Sequence, residues 1–219
     1  TFGTAPEMVV GVIAGGAPAL VRSVEGAEDD MDAAASEMER LRVTPSDVVV
    51  GIAASGTTPF VQAALSRAHQ LRARTVFLSC TEPPRQLQGM CDVFITVLVG
   101  PEIVTGSTRM KAGTATKLVL NTLTTGAMIR LGKVYGNLMV DLRAWNEKLI
   151  DRSQRIVMET TGLDRGAARK VIQAAEGSVK TAIVMARRGV AKPEAERLLA
   201  EHAGRLRPIV GDPPPVRSR

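Results

Sequence analysis

Four short runs of apolar, largely β-branched residues mark the first hundred positions: residues 8–14 (MVVGVIA), 48–53 (VVVGIA), 75–79 (TVFLS) and 93–99 (VFITVLV). Runs of this length without polar alternation predict strands covered on both faces, and hence a parallel sheet. Helical stretches separate them, over about 18–27, 33–41 and 59–71, with Pro18 and Pro59 in first turns, where proline is tolerated. The alternation predicts an α/β protein with a three-layer α/β/α domain. A longer helix over about 110–131 carries apolar side chains nearly all round its axis and is predicted to be buried on most sides. After a turn-rich stretch at 132–137, a helix over about 143–159 and three short amphipathic segments at about 164–176, 178–188 and 193–202 predict a small helical bundle. The expected division is therefore a sheet domain over 1–142, a helical region over 143–207 and a disordered tail over 208–219.

Composition narrows the class. At 45% apolar and 23% charged residues, the chain is ordinary for a soluble globular protein, and its 20 Gly and 12 Pro follow no triplet, which excludes collagen and low-complexity sequence. Cys80 and Cys91 are too few for a disulfide scaffold and lack metal-ligand spacing; they fit a reducing, cytoplasmic compartment and predict no metal site. No stretch approaches the roughly 18–20 apolar residues of a membrane helix, and no signal-peptide layout opens the chain. The first residue is Thr1, directly ahead of an apolar run, so the protein is expected to start further upstream. The net charge of +6 is confined to residues 163–219, since 1–162 hold 16 basic and 16 acidic residues. That excess reads as a solvated basic helical surface. With Tyr135 and Trp145 the only aromatic pair nearby, upstream of it, and Arg217 and Arg219 in a Pro-rich tail, a nucleic-acid partner is not expected.

No P-loop, dinucleotide fingerprint, HExxH helix or GxSxG elbow is present, and two histidines, His69 and His202, make a histidine-based triad improbable. Three segments carry candidate chemistry. Residues 51–59 (GIAASGTTP) end a strand just before a helix. Backbone N–H groups there, with the hydroxyls of Ser55, Thr57 and Thr58, suit a phosphate; the same residues also suit a plain N-cap. Residues 100–114 put Glu102, Ser107, Thr108, Arg109 and Lys111 around the start of the long helix, where cations oppose the macrodipole unless an anion lies between them. Residues 24–30 (VEGAEDD) hold four acids, of which Glu25 and Glu28 share one helical face; the plain reading is a solvated helix end, the functional one a general base.

VEGAEDD, GIAASGTTPF, GPEIVTGSTRMKAGTATKLVLN and GKVYGNLMVDLRAWNEKL together resemble the N-acetylmuramic acid 6-phosphate etherases, members of the sugar isomerase (SIS) superfamily, from residue 1 to about 207. The resemblance implies a lyase that removes the D-lactyl ether, without metal or cofactor, by proton abstraction at C2 of the ring-opened sugar, elimination of lactate and addition of water. It places the base at Glu28, a phosphate and sugar loop at Ser55, Gly56, Thr57 and Thr58, and a second substrate loop at Glu102, Ser107, Thr108 and Lys111. It also implies a sugar 6-phosphate substrate, a homodimer and a ubiquitin-associated-like C-terminal bundle, for which a structural or dimerisation role is expected. The family's second catalytic glutamate falls just upstream of the part matching residues 1–3. A polypeptide of 219 residues alone is therefore expected to be weakly active or inactive. The alternatives are a non-catalytic sugar-phosphate regulator resembling glucokinase regulatory protein and an aldose–ketose isomerase on the same fold.

Overall fold

The computed structural model describes residues 2–142, 144 and 146–215. Contacts divide the chain into two compact units, Val9–Asn121 and Thr122 onward together with the residues up to Met8. Among the described residues no helix is long and apolar enough to cross a membrane.

The first unit is built on a parallel sheet of β1 (Val48–Ile52), β2 (Arg74–Ser79) and β3 (Val93–Thr96), in that order, with Val50 opposite Val76 and Phe77 opposite Phe94. This is the α/β class with parallel pairing that the apolar runs predict. Helix α2 (Pro59–Gln70) leads from β1 toward β2 and packs on both strands, with Leu65 joining Ala53, Phe77 and Leu87 in a buried cluster. Helix α1 (Met31–Arg40) lies against α2, where Ala34 and Met38 meet Phe60, Ala63 and Ala64. Its start is fixed by Asp30, whose carboxylate accepts the Ala33 N–H at 2.8 Å.

Three expectations for this unit are corrected. Residues 8–14 form no strand: a 3-10 turn, Pro6–Met8, precedes irregular chain in which Met8, Val9 and Val10 are 52%, 62% and 52% exposed. A strand exists only through a ladder, and no partner strand is described beside this run. The helix expected at 18–27 shrinks to two 3-10 turns, Ala17–Leu20 and Ala27–Asp29, because Gly26 between them takes a left-handed conformation. Helix α3 (Lys111–Arg130) has the expected length, but Ala112 and Met128 are its buried apolar residues, whereas Leu123 and Ile129 are exposed. β1 behaves alike: Val49 and Gly51 are covered, while Val48, Val50 and Ile52 on the other face are exposed. A continuous apolar pattern records how much cover a segment can use, and this chain supplies cover on one side.

The second unit takes the later part of α3 and a two-residue hairpin of β4 (Val134–Tyr135) and β5 (Leu138–Met139) turning at Gly136-Asn137, a pair suited to the tight turn. Helices α4 (Glu147–Thr161), α5 (Arg165–Ala174), α6 (Val179–Arg188), α7 (Lys192–Glu201) and α8 (Arg207–Val210) follow. Asn146, Asp164 and Ser178 each cap the helix they precede by accepting an N–H three residues on, and Gly162 and Gly189 end α4 and α6 in the left-handed region. Val157, Ala168, Val179, Ile183, Val184 and Leu206 form the centre of its core. Tyr135, Val140 and Leu142 belong to that core too, which is why the compact units separate inside α3 rather than after residue 142. Disorder from residue 208 is also corrected. Ile209 and Val210 are buried, and the Tyr135 hydroxyl is shared between the carbonyls of Gly211, at 2.9 Å, and Asp212, at 2.7 Å. Arg143 and Trp145, the expected start of α4, and Arg217 and Arg219 of the tail lie outside the described residues.

Candidate active site

In a parallel sheet all strands end at the same edge, so the segments after β1, β2 and β3 gather there, where open α/β sheets take their ligands. The first two are tied together: the Cys80 N–H donates to Ala54 O at 3.1 Å, the Thr81 hydroxyl to Ser55 O at 2.9 Å, and the Ser79 hydroxyl to Thr81 O at 2.7 Å. The third joins through the Val97 N–H, which donates to Ser79 O at 2.9 Å. Two of the three sequence-predicted segments, 51–59 and 100–114, therefore belong to one edge.

Within the first loop, Ser55 and Thr57 are exposed with their hydroxyls 3.2 Å apart, and Gly56 is buried between them with φ +82°. A Cβ on Gly56 would come within 2.9 Å of the Thr81 hydroxyl, so glycine is required by both conformation and space. Thr58 occupies the N-cap of α2 with no side-chain capping bond, and Pro59 follows in the first turn. The plain N-cap alternative for Thr58 is thus not realised, and its hydroxyl is not spent on the helix. Thr81 escaped the sequence reading. The signal for it was the run Ser79-Cys80-Thr81 at the end of a strand, small and hydroxylated like the loop it supports.

The second loop answers the charge question at the start of α3. Both carboxylate oxygens of Glu102 are engaged there, one accepting the Lys111 N–H and the other the Ala112 N–H, each at 3.1 Å. A carboxylate of the chain itself thus sits at the positive end of α3. Backbone donation from Ala112 and then Lys111 holds the Glu102 carboxyl below the usual glutamate range. The Lys111 ammonium donates to Pro101 O at 2.8 Å and Val99 O at 3.3 Å, closing the loop on itself. Glu102 and Lys111 thus shape the loop, while Thr108 is exposed and Ser107 half-buried.

Glu28 lies exposed in the 3-10 turn Ala27–Asp29, which packs against α2, the helix that begins at the Ser55–Thr58 loop. The turn is held from below by Gly15, φ +80°, whose missing Cβ would lie 2.9 Å from Val24 and 3.2 Å from Ala27. An adjacent cavity of about 680 Å³, within the range of small-molecule sites, is lined by Gly11, Ile13, Gly16, Glu25, Asp30 and Phe60 among others. Glu25, rather than Glu28, faces it, and neither the hydroxyls of the first loop nor the residues of the second do. Among the described residues no cluster of His, Cys, Asp and Glu is placed to hold a metal ion.

Residues 3–69 match the family model described as the glucokinase regulatory protein N-terminal SIS domain, in keeping with the parallel-sheet α/β unit. Over the whole chain the likeness is narrower. It is 50% identical to the N-acetylmuramic acid 6-phosphate etherase of Edwardsiella ictaluri over 212 residues, covering 97% of this chain and 70% of the relative. It is also 50% identical to the etherase of Rhodopirellula baltica over 213 residues and 49% identical to that of Mycolicibacterium smegmatis over 211, with 97% and 96% of this chain and 70% of each relative covered. The chain belongs to the N-acetylmuramic acid 6-phosphate etherase family.

Proposed function

We propose that this protein is a carbon–oxygen lyase that cleaves the D-lactyl ether of N-acetylmuramic acid 6-phosphate, giving N-acetylglucosamine 6-phosphate and D-lactate in cell-wall sugar recycling. The observation that carries the reading is the identity of 50% with a named etherase over 97% of the chain. Glu28 takes the C2 proton of the ring-opened sugar. The C3–O bond then breaks as the electron pair left at C2 forms the C2–C3 double bond, the departing lactate oxygen takes up a proton, and water adds across the double bond with its hydroxyl on C3 and a proton on C2. The C2 hydrogen is acidic only while the neighbouring carbonyl oxygen is polarised, a task for donors of the loops at the sheet edge. Ser55, Gly56, Thr57 and Thr58 hold the 6-phosphate through backbone N–H groups and hydroxyls at the start of α2. Ser107 and Thr108 face the sugar, and Glu102 and Lys111 position their loop. A cytoplasmic homodimer belongs to the same proposal, and light scattering at assay concentration reads the dimer.

The test is D-lactate released from N-acetylmuramic acid 6-phosphate by the chain extended through its native upstream segment, with the accompanying sugar phosphate identified. Equal amounts of lactate and N-acetylglucosamine 6-phosphate are expected. A ketose formed without lactate would point to an isomerase, and tight binding without turnover to a regulator; either overturns the lyase. For the loop, Ser55→Ala is expected to weaken binding of the 6-phosphate about tenfold, the worth of one hydrogen bond to a charged group, and to leave the unphosphorylated sugar unaffected. Equal losses for both sugars remove the phosphate role.

A further inference from the structure

A loop that holds a phosphate has to turn its N–H groups and hydroxyls toward the anion and its carbonyl oxygens away, because a carbonyl oxygen repels negative charge. Gly56 works against this in the loop 55–58, since a residue without a Cβ lets its neighbouring peptides rotate at little cost. The chain fixes both of those peptides. In the one between Ser55 and Gly56, the N–H donates to Ala53 O at 2.9 Å and the carbonyl accepts the Thr81 hydroxyl at 2.9 Å. In the one between Gly56 and Thr57, the carbonyl accepts Gln62 Nε2 at 3.4 Å, and Gln62 is in turn held by Gln86 Nε2 at 3.2 Å. The Thr57 N–H leaves that planar unit on the opposite side, where its described partner is Ser55 Oγ at a long 3.4 Å. Thr81 is exposed and fills no core, and the described partner of its hydroxyl is the Ser55 carbonyl. Its own backbone is set by the Ser79 hydroxyl, which donates to Thr81 O.

We propose that Thr81 is a positioning residue for this loop. By holding the Ser55 carbonyl it keeps that oxygen turned from the anion, and so leaves the Ser55 and Thr57 hydroxyls and the Thr57 N–H to face the 6-phosphate. Gln62 assists through the next carbonyl. This role rests on the reading of residues 55–58 as the phosphate loop, and it gives Thr81 a part in binding without contact to the substrate.

Calorimetric titration of the extended chain used for the lactate assay, with N-acetylglucosamine 6-phosphate and N-acetylglucosamine as probes, tests the role. Thr81→Val, which keeps the shape of the side chain and removes its hydroxyl, is expected to weaken binding of the phosphorylated sugar about three- to tenfold, the worth of one hydrogen bond, and to leave the unphosphorylated sugar unaffected. Thr81→Ser, which restores the hydroxyl, should bring the affinity back to within about twofold. Equal weakening of both sugars by Thr81→Val, or a Thr81→Ser variant as weak as Thr81→Val, overturns the proposal, because the loss is then one of packing. Ser55→Ala separates this role from the reading beneath it. If Ser55→Ala weakens the phosphorylated sugar and Thr81→Val does not, the positioning role alone falls; if neither does, the phosphate loop falls and the role of Thr81 with it.

Discussion

Glu28→Gln is expected to lower D-lactate release by about 10²–10⁴-fold, the usual worth of a general base, while substrate binding stays within a few-fold. The replacement keeps the shape of the side chain and removes its capacity to accept the C2 proton, and Glu28 is exposed on its turn. Exchange of the C2 hydrogen with solvent deuterium should stop as well, since that exchange needs the base and not the departure of lactate. Two neighbours make the comparison informative. Asp30 caps α1, so Asp30→Ala should act on stability rather than on exchange. Glu25 lines the adjacent cavity, and if Glu25→Gln stopped exchange where Glu28→Gln did not, the base would be Glu25.

Phe77→Ala is expected to cost about 3–5 kcal/mol of folding stability, the range for emptying a buried aromatic site. Phe77 is 0% exposed on the central strand β2, packs with Leu65, Ala53 and Leu87, and meets the Phe94 ring edge-on with centroids 6.3 Å apart. Neighbours on β1, β2, β3 and α2 would all border the void, so it has little way to collapse. Against a typical total of roughly 5–15 kcal/mol, the loss is a large part of the whole. Urea unfolding reads it as a lower midpoint at unchanged slope. Phe77→Leu, which keeps most of the volume, should lose far less. A cost below about 1 kcal/mol for the alanine variant would mean that the site is not packed as described. Because the candidate loops hang from the ends of these strands, catalysis should fail along with the fold.

How far the sequence could be read follows from what each signal measures. The runs at 48–53 and 75–79 became β1 and β2 because each has a neighbour to pair with, whereas the equally apolar run at 8–14 has none described and stayed irregular. Local signals served well in the helical unit: Asn146, Asp164, Ser178, Gly162 and Gly189 mark helix ends through interactions a few residues long. The folded segment beyond residue 207 was illegible because its anchor, the Tyr135 hydroxyl, lies in a remote part of the chain. At the candidate site, the residue types of 51–59 and 100–114 singled out two segments that the fold brings to one sheet edge. That Glu102 accepts the N–H groups of Lys111 and Ala112 was not legible, since spacing alone does not tell which way a carboxylate turns.

The bond from Tyr135 to Gly211 and Asp212 also bears on the order of assembly. It joins groups 76 and 77 positions apart, so the helical unit is not sealed until residue 212 has been synthesised. The contacts among α4, α5, α6 and α7 are local and form fast, whereas closure onto the hairpin carries the entropy of a long loop. During that interval the hairpin and the start of α4 wait on a partner still to emerge, so in this unit the last event of folding is a clasp rather than a collapse.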